Sequence, residues 1–164
     1  MKKNLIPALL ILLISAFQTN AQKIMMKIPS LTDKAGEEVR TLDFEIEATS
    51  SWTKGGGASV GKPIPQKLTI RKMNHKSTTE FFKHITAGQS FPEISFEYYD
   101  QGQKLIYSMT LGSAYITEVA WLTPECNNCP KLEMKMSMVF KTFETNDVLN
   151  GIKTKWDIAA GVVQ

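Results

Sequence analysis

Two clusters in this sequence have the residue types and spacing of chemistry. The first, Gly56-Gly57-Ala58-Ser59-Val60-Gly61-Lys62, has the G-x-x-x-x-G-K spacing of a phosphate-cradling loop. Such a loop works because backbone N–H groups and a helix N-terminus face the phosphates, the Lys reaches them, and a following Ser or Thr holds magnesium. Here Pro63 stands in the hydroxyl position, and Pro63-Ile64-Pro65 leads into an alternating run at Leu68. The expected element after the glycines is therefore a strand, and the segment reads as a Gly-rich loop without a nucleotide site.

The second cluster is Cys126-Asn127-Asn128-Cys129, which admits redox chemistry, a metal site or a structural disulfide. A redox pair lowers its thiol pKa partly by standing at a helix N-terminus, whereas Pro130 and the alternating run from Lys131 place this pair in a loop before a strand. Zinc needs further ligands, and the only histidines, His75 and His84, flank and lie within a helix far away in sequence. A loop-stapling disulfide between Cys126 and Cys129 is the default reading, adding at most about 2 kcal/mol for so short a loop.

No nucleophile stands with a base in a recognisable local context. His84 reads as a surface or packing residue. Glu37 and Glu38 follow a glycine in a loop and read as solvated charge, while Asp43, Glu45 and Glu47 alternate with apolar neighbours and read as the outer face of a strand. The sequence thus predicts no catalytic residue, metal or cofactor.

The elements that position these residues begin after a leader. Lys2 and Lys3 precede an apolar run over residues 5–17 that ends in Thr19-Asn20-Ala21, the pattern of a secretory signal peptide. The run is shorter than the roughly 20 residues a membrane-spanning helix needs, and no later stretch is long and apolar enough. Cleavage is expected after Ala21, giving an exported chain of residues 22–164, one domain in the periplasm or outside the cell. Removal of the leader takes two lysines and no acid from 19 basic and 16 acidic residues. The near-neutral remainder offers no basic face for nucleic acid.

From Gln22 onward apolar and polar residues alternate, as in strands with one buried face. Leu132, Met134, Met136, Met138 and Phe140 form one such face. Others are Ile24 to Ile28; Leu42, Phe44, Ile46 and Ala48; Leu68 and Ile70; Ile94, Phe96 and Tyr98. Further on come Leu105, Tyr107, Met109 and Leu111; Tyr115, Thr117, Val119 and Trp121; and Trp156 with Ile158. That makes about eight strands. Asp100-Gln101-Gly102 reads as a tight hairpin with Gly102 at positive φ, Gly112-Ser113 as a bend in a long strand pair, and residues 146–151 as a turn or loop. One helix opens at Ser77 as N-cap, with Glu80 as its capping-box partner and Phe81, Phe82 and Ile85 as its apolar side, and closes at Gly88. The expected fold is mainly β: a compact antiparallel β-barrel or two-sheet sandwich with one flanking α-helix.

Read in order, several segments resemble the haemolysin-coregulated protein (Hcp) family of type VI secretion. They are Ile28-Pro29 with Ser30-Leu31-Thr32-Asp33-Lys34-Ala35-Gly36, the 55–63 loop, the 67–72 strand, the 77–88 helix, the 98–109 hairpin, the Met-rich strand and the closing Trp156-Asp157. The resemblance implies a tube protein: a two-sheet barrel with a flanking helix, assembling with itself as a homo-hexameric ring that stacks into a tube. It also implies spike or sheath components and small effector proteins as partners, and no enzyme activity. By the same analogy, ring-stacking contacts fall to Thr32, Asp33, Lys34 and Gly36 in one loop and to Gly55, Gly56, Gly57, Gly61 and Lys62 in the other. The leader departs from the family pattern, because a subunit sent through the general secretory route cannot join a cytoplasmic sheath. The alternative to an injector part is an exported carrier of the same fold that holds small protein cargo.

Overall fold

The computed structural model describes residues 22–48, 50–52, 58–123 and 132–163. Cys126, Cys129, Gly55, Gly56, Gly57 and the leader lie outside the described residues. The strands are β1 (Lys23–Lys27), β2 (Glu37–Val39), β3 (Thr41–Asp43), β4 (Ile46–Glu47), β5 (Ser50–Trp52), β6 (Ala58–Val60), β7 (Ile64–Pro65) and β8 (Leu68–Met73). After helix α1 (Thr78–Ala87) come β9 (Ser90–Tyr99), β10 (Leu105–Leu122), β11 (Glu133–Val139), β12 (Thr142–Asp147), β13 (Ile152–Asp157) and β14 (Val162–Val163). All the strand pairs among the described residues are antiparallel.

β10 organises the sheet, since it pairs with β9, β11 and β12 along its length. One route runs from β10 through β11 and β8 to β3, and another through β9 and β1 to β2. Both converge on one stretch of chain, because β2 pairs with β1 and β3 with β8, and the N–H of Arg40 between them donates to the Arg71 carbonyl. The core is the set of inward positions that period-2 alternation requires: Leu68 and Ile70, Ile94 and Phe96, Met109 and Leu111, and Met134, Met136 and Met138. This is the mainly antiparallel barrel-like sandwich with one flanking helix that the alternation predicts.

Four details differ from the sequence reading. Residues 105–111 and 115–121 form a single strand, and the inward face changes at the bend. Met109 and Leu111 are buried before it and Ala114 and Ile116 after it, with Ser113 at φ +50°. β9 changes face opposite the same point, from Phe91 to Ile94, so the two strands kink together and Tyr115 and Thr117 face outward. Second, the 100–104 turn places Gln103, not Gly102, at positive φ, while the Asp100 carboxylate accepts the Lys104 N–H. Third, β12 is a strand where no alternation stands out, and residues 148–151 are the turn of a β12–β13 hairpin.

Fourth, α1 begins without a capping box. Ser77 makes no side-chain cap bond, and Glu80 instead pairs with Lys83 on the surface. Phe81 is fully buried and packs edge-on against Phe91, Ile85 is half-buried, and Phe82 is exposed beside Trp121. His84 stacks on the Phe91 ring at 3.8 Å, a packing histidine. At the other end Gly88 adopts φ +62°, with Gln89 N–H bonded to the His84 carbonyl, the left-handed stop expected of a glycine there. A Cβ at this position meets nothing within 4 Å. Gly88→Ala is therefore expected to cost only the left-handed strain, about 1–2 kcal/mol, measured as a shift in urea midpoint.

Candidate assembly surface

The most prominent feature outside the core is an arm formed by residues 43–48, 50–52 and 58–67. β3 and β8 are followed outward by two further antiparallel pairs, β4 with β7 and β5 with β6, so that the chain leaves and returns as short two-stranded segments. The Gly-Lys segment belongs to its returning limb: Ala58 to Val60 are strand, and β7 rather than a helix follows Lys62. No helix N-terminus is available there for phosphate.

The root of the arm is firmly held. Phe44 packs against Phe143 and Phe140 at ring separations of 4.9 and 5.5 Å. Gln66 donates its backbone N–H to the Glu45 carbonyl and its side-chain amide to Glu47. Lys67 reaches Glu118 on β10 at 3.3 Å, where Lys135 and Ser137 also bond the same carboxylate. Hydrogen bonds from Lys135, Ser137 and Lys67 outweigh a small desolvation effect and hold Glu118 at about 2, so this anchor remains ionised across the ordinary pH range.

Beyond the root the arm presents Ile46, Ile64 and Val60, which are 47%, 56% and 72% exposed. Isolated two-stranded ladders are marginal in water; Ile46 beside Pro65 and Ile64 beside Glu47 lie on opposite faces of the β4–β7 pair, so the arm exposes apolar side chains on both sides. Gly61 and Lys62 lie on the returning limb, with the Lys62 ammonium close over Gly161 in the turn before β14.

The second candidate loop is rigidly built. Leu31 and Thr32 both donate backbone N–H groups to the Ile28 carbonyl, while the Thr32 hydroxyl accepts the Ile28 N–H at 3.0 Å. Asp33 and Lys34 are exposed at the tip, and Asp33 pairs with Lys76 at 3.1 Å. Gly36 turns the chain back at φ +80°, where an added Cβ would lie 2.7 Å from the Met26 carbonyl oxygen. Thr32, Asp33, Lys34 and Gly36 thus form one turn, fastened toward α1, whereas Gly61 and Lys62 belong to the arm.

Glu37, which reads from the sequence as solvated charge in a loop, is instead a buried residue at the start of β2. It is 6% exposed, and its carboxylate binds Lys72 at 2.8 Å, Ser77 at 2.6 Å and His75 at 2.6 Å. Burial pushes this carboxyl up, but hydrogen bonds from Lys72 and Ser77 and the nearby positive charge outweigh it and hold Glu37 below its ordinary value. Lys72, only 1% exposed, approaches the face of Phe81 at 5.8 Å. The network joins β2, β8 and the start of α1, so it fixes the turn and the helix in one frame. A charged Glu after a glycine carries no local mark of burial. The available clue is Lys72, in phase with the apolar Leu68 and Ile70.

Other exposed apolar groups are the Phe82–Trp121 pair, with ring centres 6.2 Å apart, and Val148, Leu149 and Ile152 around the β12–β13 turn. Among the described residues no group of three or more His, Cys, Asp or Glu could hold a metal ion, and no helix is long and apolar enough to cross a membrane.

These features define a class: an antiparallel β-sandwich with a flanking helix and a projecting β-arm. The sequence matches the family described as type VI secretion system effector, Hcp, over residues 30–146, and the chain belongs to that family. No curated protein matches it. Among solved structures it resembles Hcp1 from Salmonella typhimurium at a TM-score of 0.72 and 18% identity, covering 88% of this chain and 99% of that one. A structure described as a type six secretion system protein gives 0.75 and 13%, covering 88% and 100%. The baseplate of the anti-feeding prophage, 6-fold symmetrised, gives 0.55 and 8%, covering 78% and 93%. At these identities the likeness establishes the shared fold.

Proposed function

We propose that residues 1–21 are removed as a secretory leader and that residues 22–164 form an exported, self-assembling subunit of a type VI secretion-like system. The subunit closes into a six-membered ring, and rings stack through the arm and the 29–36 turn. The observation that carries this reading is the arm, a two-stranded element with Ile46, Ile64 and Val60 exposed on a firmly anchored root. A neighbouring copy supplies the surface such an element lacks, and a head-to-tail contact repeated around an axis makes a ring where the rotation closes. The family and the symmetric baseplate relative support the same reading. A chain passed through the general secretory route assembles beyond the inner membrane, so its partners are further copies of itself and small exported proteins held in the ring.

The test is the mass and electron-microscope appearance of the purified mature chain. Ring-shaped particles are expected for the wild type. The double variant Val60→Lys, Ile64→Lys is expected to shift folding stability by no more than about 0.5 kcal/mol, as is usual at exposed positions, while dispersing stacked particles into single rings or monomers. A strict monomer at high wild-type concentration would exclude assembly, and stacking unchanged in the double variant would exclude the arm as the contact.

A further inference from the structure

Gln22 is the residue that removal of the leader places at the new N-terminus. It is exposed and lies immediately before β1, whose first residue, Lys23, is already paired with Tyr99 of β9. The terminal residue therefore stands outside the ladder while its successor is fixed. It lines a cleft shared with Lys23, Arg40, Glu38 and Tyr99. An α-amine ordinarily titrates near pH 7.7–8.0, so a share of it is neutral at neutral pH. The neutral amine is the nucleophilic form, and the carbonyl carbon of the glutamine's own side-chain amide lies within five-membered-ring reach of it.

We propose that the mature chain begins with pyroglutamate formed from Gln22, an inference that rests on the leader reading above. The α-nitrogen attacks Cδ of the side-chain amide and forms the lactam C–N bond. The bond from Cδ to the amide nitrogen breaks, and that nitrogen leaves as ammonia, carrying the proton given up by the amine. No oxidant or reductant is involved. The product has no terminal charge. It also denies exported aminopeptidases the free amine they grip, which protects the start of a strand held between β2 and β9.

Intact-mass spectrometry of the full-length gene product, recovered from an exporting host and acid-quenched at harvest, tests this directly. The expected mass is that of residues 22–164 less one ammonia. Treatment with a pyroglutamate-removing aminopeptidase is expected to open the blocked terminus, with sequencing then starting at Lys23. Gln22→Ala is expected to give a free terminus and no ammonia loss. A mass of residues 22–164 with the ammonia retained would overturn the cyclisation and leave the leader reading standing. A chain that keeps residues 1–21, or begins elsewhere, would overturn both.

Discussion

Glu37→Ala is expected to lower folding stability by about 3–5 kcal/mol, the usual cost of removing one partner from a buried ion pair and leaving the other charge uncompensated. Lys72 is the charge left behind: it is 1% exposed, with Glu37 at 2.8 Å and the Ser77 hydroxyl at 3.4 Å as its partners. Urea unfolding of the purified chain measures the loss. Replacing both charges, as Glu37→Leu with Lys72→Met, is expected to restore most of it, because an apolar pair of similar volume often matches a buried salt bridge. A single variant as stable as the wild type would contradict this account of the network. The acid dependence follows from the same group. Because the folded-state pKa of Glu37 is depressed, its contribution is complete above the unfolded value near 4.5 and is lost as pH falls through the folded value. Wild-type stability is therefore expected to fall more steeply below pH 4.5 than that of the double apolar variant.

Gly36→Ala is expected to cost about 2–5 kcal/mol, the sum of left-handed strain and overpacking against neighbours that cannot move aside. The comparison with Gly88 isolates the second contribution. Both glycines have positive φ, but the space beside Gly88 is empty, whereas a Cβ at Gly36 would stand 2.7 Å from the backbone oxygen of Met26 and 2.9 Å from the Lys27 side chain. The Met26 carbonyl belongs to β1 and is fixed by pairing on both sides, so relief requires the strand or the turn to shift. Thermal or urea denaturation of the two variants side by side is expected to rank Gly36→Ala as the more damaging, and equal costs would show that the turn can yield.

Much of the fold is legible in the sequence because a half-buried strand writes its inward face at every second residue. The run of Met134, Met136 and Met138 and the pair Ile94 and Phe96 need no other information. Legibility fails where geometry breaks the period. At Ser113 the strand turns its other side to the core, so Tyr115 and Thr117 read as buried and lie outside. In β12, with the sequence Thr-Phe-Glu-Thr-Asn-Asp, Phe143 alone is buried, and one apolar residue makes no pattern. The arm is legible as a Gly-rich loop but not as a ladder, because its pairing depends on two segments meeting across the chain. Glu37 is hidden for a related reason: the cation that compensates it lies 35 positions later, on a strand whose pairing the sequence alone does not establish.

The central position of β10 governs how the molecule comes apart. The β12–β13–β14, β11–β8–β3 and β9–β1–β2 branches of the ten-stranded sheet each pair with this one strand, which shares hydrogen bonds with β9, β11 and β12. Opening any branch strips a neighbour from this common spine, so hydrogen exchange is expected to show the branches opening together, and separate protection levels on the two sides would contradict it.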